Sequence, residues 1–218
     1  MFYIDEILEH TATMTTFDQP STQTQRVLGL FAGKVFLRAT ELDAIGIPRI
    51  VLTRMVDAGL IEKAARGLYR LPGSSGSEHE SLTAIATKVP QAVVCLLSAL
   101  QFHGLTTQLP RHVWITMPRG SHVPRIEYPP VKMIQVAENA YSPGIEEVEL
   151  DNVRVRIYSA ARTVADCFKH RNKIGLDVAL EALRDARSQK KASADDLWRY
   201  AKLCRVANIM RPYLEVIG

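Results

Sequence analysis

The sequence predicts an α+β chain in two parts: a small N-terminal winged helix-turn-helix domain and a C-terminal mixed α/β domain whose strands precede a helical end. Three observations predict it. Between Lys34 and Pro72 a strand, two short helices and a hairpin follow one another in about forty residues. The run Pro72-Gly73-Ser74-Ser75-Gly76-Ser77 then breaks the composition. Beyond it, strand-like runs between His112 and Tyr158 give way to helical periodicity, an order that argues against a doubly wound fold.

Residues 1–20 are predicted to be an N-terminal arm, acidic and partly polar, with Ile4, Ile7 and Leu8 as one short apolar turn. The winged domain is placed at 21–73. Its strand is Val35-Phe36-Leu37, and its first helix runs from Thr40 to Ala44, with Thr40 as the expected N-cap and Asp43 three residues on. Gly46-Ile47-Pro48 makes the turn, because glycine permits the bend and proline presets φ at a helix entry.

The second helix is expected over Pro48 to Ala58. Val51, Leu52, Met55 and Val56 form its core stripe, which leaves Arg49, Ile50, Thr53, Arg54 and Asp57 on the opposite face. These residue types suit a major groove: arginine bonds guanine O6 and N7 together, Ile50 can meet a thymine methyl, and Thr53 can bond a base or a phosphate. After Gly59 the alternation from Leu60 to Leu71 predicts a hairpin around Ala64-Ala65-Arg66, with Lys63, Arg66 and Arg70 as phosphate-neutralising cations.

The charge distribution agrees with that reading. The net charge is +4 overall, but residues 1–20 carry four acids and no Lys or Arg, whereas 21–73 carry eight bases against four acids. Positive density is therefore highest in the winged segment, as a nucleic-acid contact requires. Cys95, Cys167 and Cys204 are odd in number and lie in apolar patterns, so they predict buried thiols, neither a disulfide framework nor a zinc site. The apolar runs are too short to span a bilayer and the acidic N-terminus has no signal-peptide charge pattern, which leads to an expected cytoplasmic location.

The C-terminal domain is placed at 78–218. A helix from Glu78 to Lys88 is stopped by Pro90, and the apolar run Ala92 to Leu97 leads into a helix end at Ser98 to Gly104. Strands are expected at Val113–Met117, Val131–Val136, Ile145–Leu150 and Val153–Tyr158, the last two joined by Asp151-Asn152. Helices follow at Ala160–Lys169, Gly175–Gln189, Ala194–Cys204 and Ala207–Val216.

Several side chains invite chemistry. Ser98 and His103 suggest a nucleophile and base, but five residues apart on a helix they face differently, and no orienting acid stands at a recognisable spacing; packing and helix-end roles are the expectation. Arg162 and Asp166 are spaced to pair across one helical turn or to fix a neighbouring segment. Lys169, His170, Arg171 and Lys173, with Arg184, Arg187, Lys190 and Lys191, form a basic cluster. The loop Pro118 to Pro130, with Arg119, His122 and Arg125 among its prolines, is expected to be extended and exposed. Walker, dinucleotide-glycine, HExxH and nuclease-type acidic motifs are missing, so no cofactor, metal or enzymatic activity is expected.

Ser98-Ala99-Leu100, His103-Gly104-Leu105, Pro110, Val113-Trp114-Ile115, Tyr158-Ser159, Arg162-Thr163-Val164-Ala165-Asp166, Arg171-Asn172-Lys173 and Gly175 to Leu183 are similar in order and spacing to the AbiEi family of abortive-infection antitoxins. With Gly67-x-Tyr69 in the winged segment, the resemblance spans roughly residues 24 to 190. It implies an antitoxin of a type IV toxin–antitoxin system that represses its own operon by binding repeats in promoter DNA; because winged modules often act in pairs on repeats, two copies per operator are expected. Its C-terminal domain would counter a nucleotidyltransferase toxin without a stable complex, and Arg119, Arg125, Arg162, Asp166, Arg171 and Lys173 are the residues expected to serve that role. The alternatives are a stand-alone regulator whose C-terminal domain senses a ligand or mediates assembly, and a nucleic-acid enzyme using Ser98, His103 or Asp166.

Overall fold

Two left-handed glycines shape the N-terminal domain. Gly46 (φ +68°) and Gly59 (φ +70°) each follow a short helix. At each, a backbone N–H reaches back five residues: Ile47 N–H donates to the Leu42 carbonyl (3.0 Å) and Leu60 N–H to Met55 (2.9 Å). These are Schellman closures, which satisfy carbonyls the helix end would leave open and turn the chain sharply. In the computed structural model, which describes residues 22–217 apart from 33, 74–78 and 127, these closures follow α2 (Ala39–Ala44) and α3 (Ile50–Asp57). Helix α1 (Thr22–Gly29) precedes them. The expected arm at 1–20 and most of the composition break lie outside the described residues.

The wing is a three-stranded antiparallel sheet, ordered β1 (Leu37–Arg38), β3 (Leu68–Arg70), β2 (Glu62–Ala65). Three local details differ from expectation. The first strand is Leu37–Arg38, displaced from Val35–Leu37 because pairing with Leu68 and Tyr69 begins only at Leu37. The cap of α2 is not Thr40: Arg38 is the N-cap, and its N–H donates to Glu41 Oε1 at 2.9 Å. The hairpin turns at Arg66-Gly67 with a bulge between Lys63 and Ala65, so Ala65 pairs with Leu68 instead of sitting in the loop.

Val27, Phe31, Leu42, Ile47, Leu52 and Met55 are among the buried residues of this domain's core. The other face of the wing is also covered. Phe36, Ala65 and Leu68 close on Ala84 of α4 (Glu80–Lys88), which belongs to the C-terminal half. Apolar burial thus joins the hairpin to the domain that follows it.

The C-terminal half is built on a five-stranded mixed sheet. Its order is β6 (Val131–Val136), β5 (Val113–Pro118), β4 (Val93–Val94), β8 (Val153–Tyr158), β7 (Ile145–Leu150). β4 has two residues and lies at the centre, antiparallel to β5 and parallel to β8. It continues directly into α5 (Leu96–Phe102). Asp151 and Asn152 both take positive φ (48° and 57°), the conformation that lets a two-residue loop match the strand twist without glycine.

The period-2 pattern divides the core. Val113, Ile115, Met117, Val155 and Ile157 face α4, while Trp114, Ile134, Val136 and Tyr158 face the opposite layer. That layer is centred on α7 (Ala160–Lys169), in which every residue from Ala160 to Phe168 is buried. Around it stand α9 (Leu176–Ser188), α10 (Ala194–Leu203) and α11 (Ala207–Ile217), with the short helices α6 (Glu138–Tyr141) and α8 (Arg171–Ile174) at its margins. The architecture is mixed α/β, with the sheet between helical layers and a winged helix-turn-helix ahead of it.

Candidate nucleic-acid interface

Burial of Val51, Leu52 and Met55 turns the opposite face of α3 outward. Arg49, Ile50, Thr53, Arg54 and Asp57 are all exposed, Ile50 at 53% despite its apolar side chain. Helix α3 begins two residues later than expected, after a turn in which Val51 and Leu52 N–H groups donate to the Pro48 and Arg49 carbonyls. Arg49 is oriented from the preceding helix: its Nε lies 3.1 Å from Asp43 Oδ1 and its Nη2 2.5 Å from Oδ2. The guanidinium holds the Asp43 carboxyl below the usual carboxylate range. Sequence reasoning assigned Asp43 to a cap and missed this role. The signal was the facing pair across the Gly46 turn.

On the wing, Lys63 and Arg66 are exposed, Arg66 at the turn itself. Arg70 departs from the expected free cation. Its side chain is 28% exposed, with Nε 3.1 Å from Glu62 Oε2 and Nη1 2.8 Å from Glu80 Oε1. Glu80 opens α4, so Arg70 ties the wing to the C-terminal half and its charge is already matched by two carboxylates. Arg26 donates from Nη2 to the Ile45 carbonyl at 3.1 Å and holds α1 against the helix-turn-helix.

The C-terminal candidates separate by burial. Arg119 and Arg125 are exposed on the loop after β5, and Lys173 is exposed on α8. Arg171 is half-buried and donates to the Phe168 carbonyl at 3.0 Å. Arg162 and Asp166 are buried at 1% and 6% and cannot face a partner. Arg162 Nε is 2.9 Å from Asp166 Oδ2, and its Nη1 and Nη2 each donate at 2.8 Å, to the Pro143 and Ala140 carbonyls. The guanidinium also lies 4.4 Å from the Tyr158 ring centroid. The two residues pair across one helical turn, as one expectation had it, and Arg162 also clamps α6 and the turn before β7 onto α7, as the other had it.

Ser98 and His103 also act in packing. Ser98 Oγ accepts from the Trp114 N–H at 2.9 Å, so it joins α5 to β5. His103 Nε2 is 2.7 Å from the Tyr158 carbonyl, and burial holds its pKa below the ordinary imidazole value. With both nitrogen and hydroxyl engaged in different directions, they form no nucleophile–base pair. The three cysteines are free thiols and buried, each pushed upward in pKa by burial.

Residues 25–72, the span that contains the helix-turn-helix and the wing, match the family model described as transcriptional regulator, AbiEi antitoxin. The winged segment is similar to the AbiEi antitoxin regulators. The AbiEi model ends where the composition break begins, and its antitoxin regulators agree with the resemblance drawn from the sequence. No curated protein matches the chain. Among solved structures, the RV2827C protein from Mycobacterium tuberculosis shares the fold, with a TM-score of 0.60 at 12% identity over 91% of this chain and 83% of that one. The similarity therefore extends the shared architecture well past the AbiEi segment and through the C-terminal sheet. No helix among the described residues is long and apolar enough to cross a membrane.

Proposed function

We propose that the protein is an antitoxin of a type IV toxin–antitoxin system that represses its own operon. It binds promoter repeats through the winged helix-turn-helix, and its C-terminal domain counters a nucleotidyltransferase toxin in the cytoplasm without forming a stable complex with it. The observation that supports this best is the outward face of α3, where Arg49, Thr53 and Arg54 stand clear of the core beside a wing that presents Lys63 and Arg66, all within the segment matching an antitoxin regulator family.

In this reading the exposed α3 side chains enter a major groove and read base edges, while the wing cations neutralise phosphates. Occupancy of the promoter blocks polymerase, and two copies act on paired repeats. Arg119, Arg125 and Lys173 are the exposed cations left for the toxin-opposing role, Arg171 contributes its half-buried guanidinium, and Arg162 and Asp166 act indirectly by fixing α6 and the turn before β7. The protein performs no catalysis and needs neither cofactor nor metal.

Fluorescence anisotropy of the whole chain on a duplex taken from immediately upstream of its gene, against a scrambled duplex over a salt series, tests the proposal. Tighter binding to the native duplex with a steep salt dependence supports it. Equal weak binding to both overturns it. The toxin arm is tested by co-expression with the neighbouring nucleotidyltransferase, where loss of growth rescue in an Arg171→Glu/Lys173→Glu variant is the expected result.

A further inference from the structure

On the side of the C-terminal domain that faces the wing, a cleft of about 420 Å³ opens between the start of α4, the end of α5 and two proline-bearing loops. This lies within the range of roughly 300–1,000 Å³ that accepts small molecules. Two exposed apolar side chains line it, Leu109 at 80% and Tyr128 at 64%. Large apolar groups left exposed at a cleft lower their free energy when a ligand covers them.

The walls are shaped for a ring. Phe102 is half-buried at the side of the cleft, with the His79 ring tilted against it at a centroid distance of 5.5 Å. Pro110, Pro129 and Pro130 form the backbone of the two loops, and their fixed φ angles hold the opening in shape. Aromatic faces prefer offset or tilted neighbours at such spacings, so a planar guest extends an arrangement already present.

The charge is one-sided. Arg111 lines the cleft, is exposed, and has no carboxylate partner among the described residues. Among those residues the lining contains no Asp or Glu, and its remaining polar groups include Gln101 and His112. A guanidinium held at an apolar, aromatic cleft, with no matching acid among the described residues, suits a carboxylate, sulfonate or phosphate.

We propose that this cleft is a binding site for a small planar aromatic anion, whose ring lies between Leu109 and Tyr128 against Phe102 and whose acidic group meets Arg111. The site is independent of the DNA-binding reading. It adjoins the junction between the two halves, since Ser81, Tyr128 and Pro129 line both this cleft and the crevice beneath the wing.

The test uses the full chain and 8-anilinonaphthalene-1-sulfonate, an aromatic monoanion that fluoresces when removed from water, with the uncharged N-phenyl-1-naphthylamine as its comparison. One saturable site is expected in the native protein, with the anion bound about tenfold more tightly than the neutral probe, the scale of one charged hydrogen bond. Arg111→Glu removes that preference, and Leu109→Asp weakens both probes. Val216→Asp, on the exposed end of α11 in the other helical layer, leaves both unchanged. Circular dichroism checks that each variant retains the fold; all three positions are surface positions. Absence of saturable binding, or equal binding of the anion by the native protein and Arg111→Glu, overturns the proposal.

Discussion

Replacing Arg162 by alanine removes three hydrogen bonds in one step. Its Nε bond to Asp166 is 2.9 Å, and its bonds to the Pro143 and Ala140 carbonyls are each 2.8 Å. With 1% and 8% side-chain exposure for the two partners, neither water nor salt screens the pair. The Asp166 carboxylate would retain the Cys204 thiol, whose Sγ lies 3.2 Å from Oδ1, as its surviving buried donor. Breaking a buried ion pair by deleting one partner costs about 3–5 kcal/mol, chiefly through the charge left behind. For a chain of this length each kcal/mol lowers Tm by about 2–4 °C, so a loss of roughly 6–20 °C is expected. Urea unfolding followed by circular dichroism measures the cost, and the paired variant Arg162→Met/Asp166→Leu should recover part of it because no lone charge remains. A cost below about 1 kcal/mol for Arg162→Ala, or strict additivity in the paired variant, would refute the argument that this clamp carries an unscreened charge.

Four further outcomes are expected. Arg54→Ala weakens binding to the native upstream duplex by about 1–3 kcal/mol if it reads a base, or about 5- to 150-fold, and anisotropy shows whether the scrambled duplex is affected less. Lys63→Ala and Arg66→Ala each lower the salt slope of binding by about one phosphate equivalent. Arg70→Ala leaves that slope nearly unchanged, because Glu62 and Glu80 already match its charge, but hydrogen exchange quickens across β2 and β3 as the tie to α4 is lost. Stability also falls as pH drops below the ordinary histidine value of 6.5, because burial holds the folded pKa of His103 and His170 lower. The unfolded chain then binds more protons than the native one, and ΔG of unfolding must rise with pH in that window. Equilibrium unfolding from pH 5 to 8 checks the sign, and His103→Gln should flatten the rise.

Much of this fold was legible because local patterns and tertiary environment agree. The β6, β7 and β8 strands coincide with their expected ranges, since each is a six-residue run in which one face is committed to a helical layer. β4 was not legible. Two valines inside a continuous apolar run have no period, and only their pairing with Thr116, Ile115, Arg156 and Ile157 makes them the centre of the sheet. The exposed face of α3 followed from its core stripe, whereas the fate of its neighbouring charges did not. Arg49 and Arg70 look alike as letters, but the acid of Arg49 lies six residues away across a turn, and those of Arg70 lie eight residues away across the hairpin and ten away across the composition break. Arg162 and Asp166 showed their spacing in the sequence but not their burial, which arises because α6 and the turn before β7 fold over them.

The wing illustrates why such distant pairings bear on function. A hairpin joined to the rest of a chain by a polar break would sample many orientations, and each cation at its tip would lose entropy on meeting a phosphate. Here Phe36, Ala65 and Leu68 are buried against Ala84, and Arg70 bridges Glu62 on the same sheet to Glu80 on α4. Apolar burial fixes one face of the hairpin, and the ion pairs set its register along the helix. Lys63 and Arg66 consequently sit on a support that extends through α4 to β8, where Leu82 and Ile85 pack with Val155 and Ile157. Under the proposed DNA-binding role, cations held in place in advance would lower the ordering cost of association. By the same physics, any change that tilts α4 against the sheet must move the wing with it.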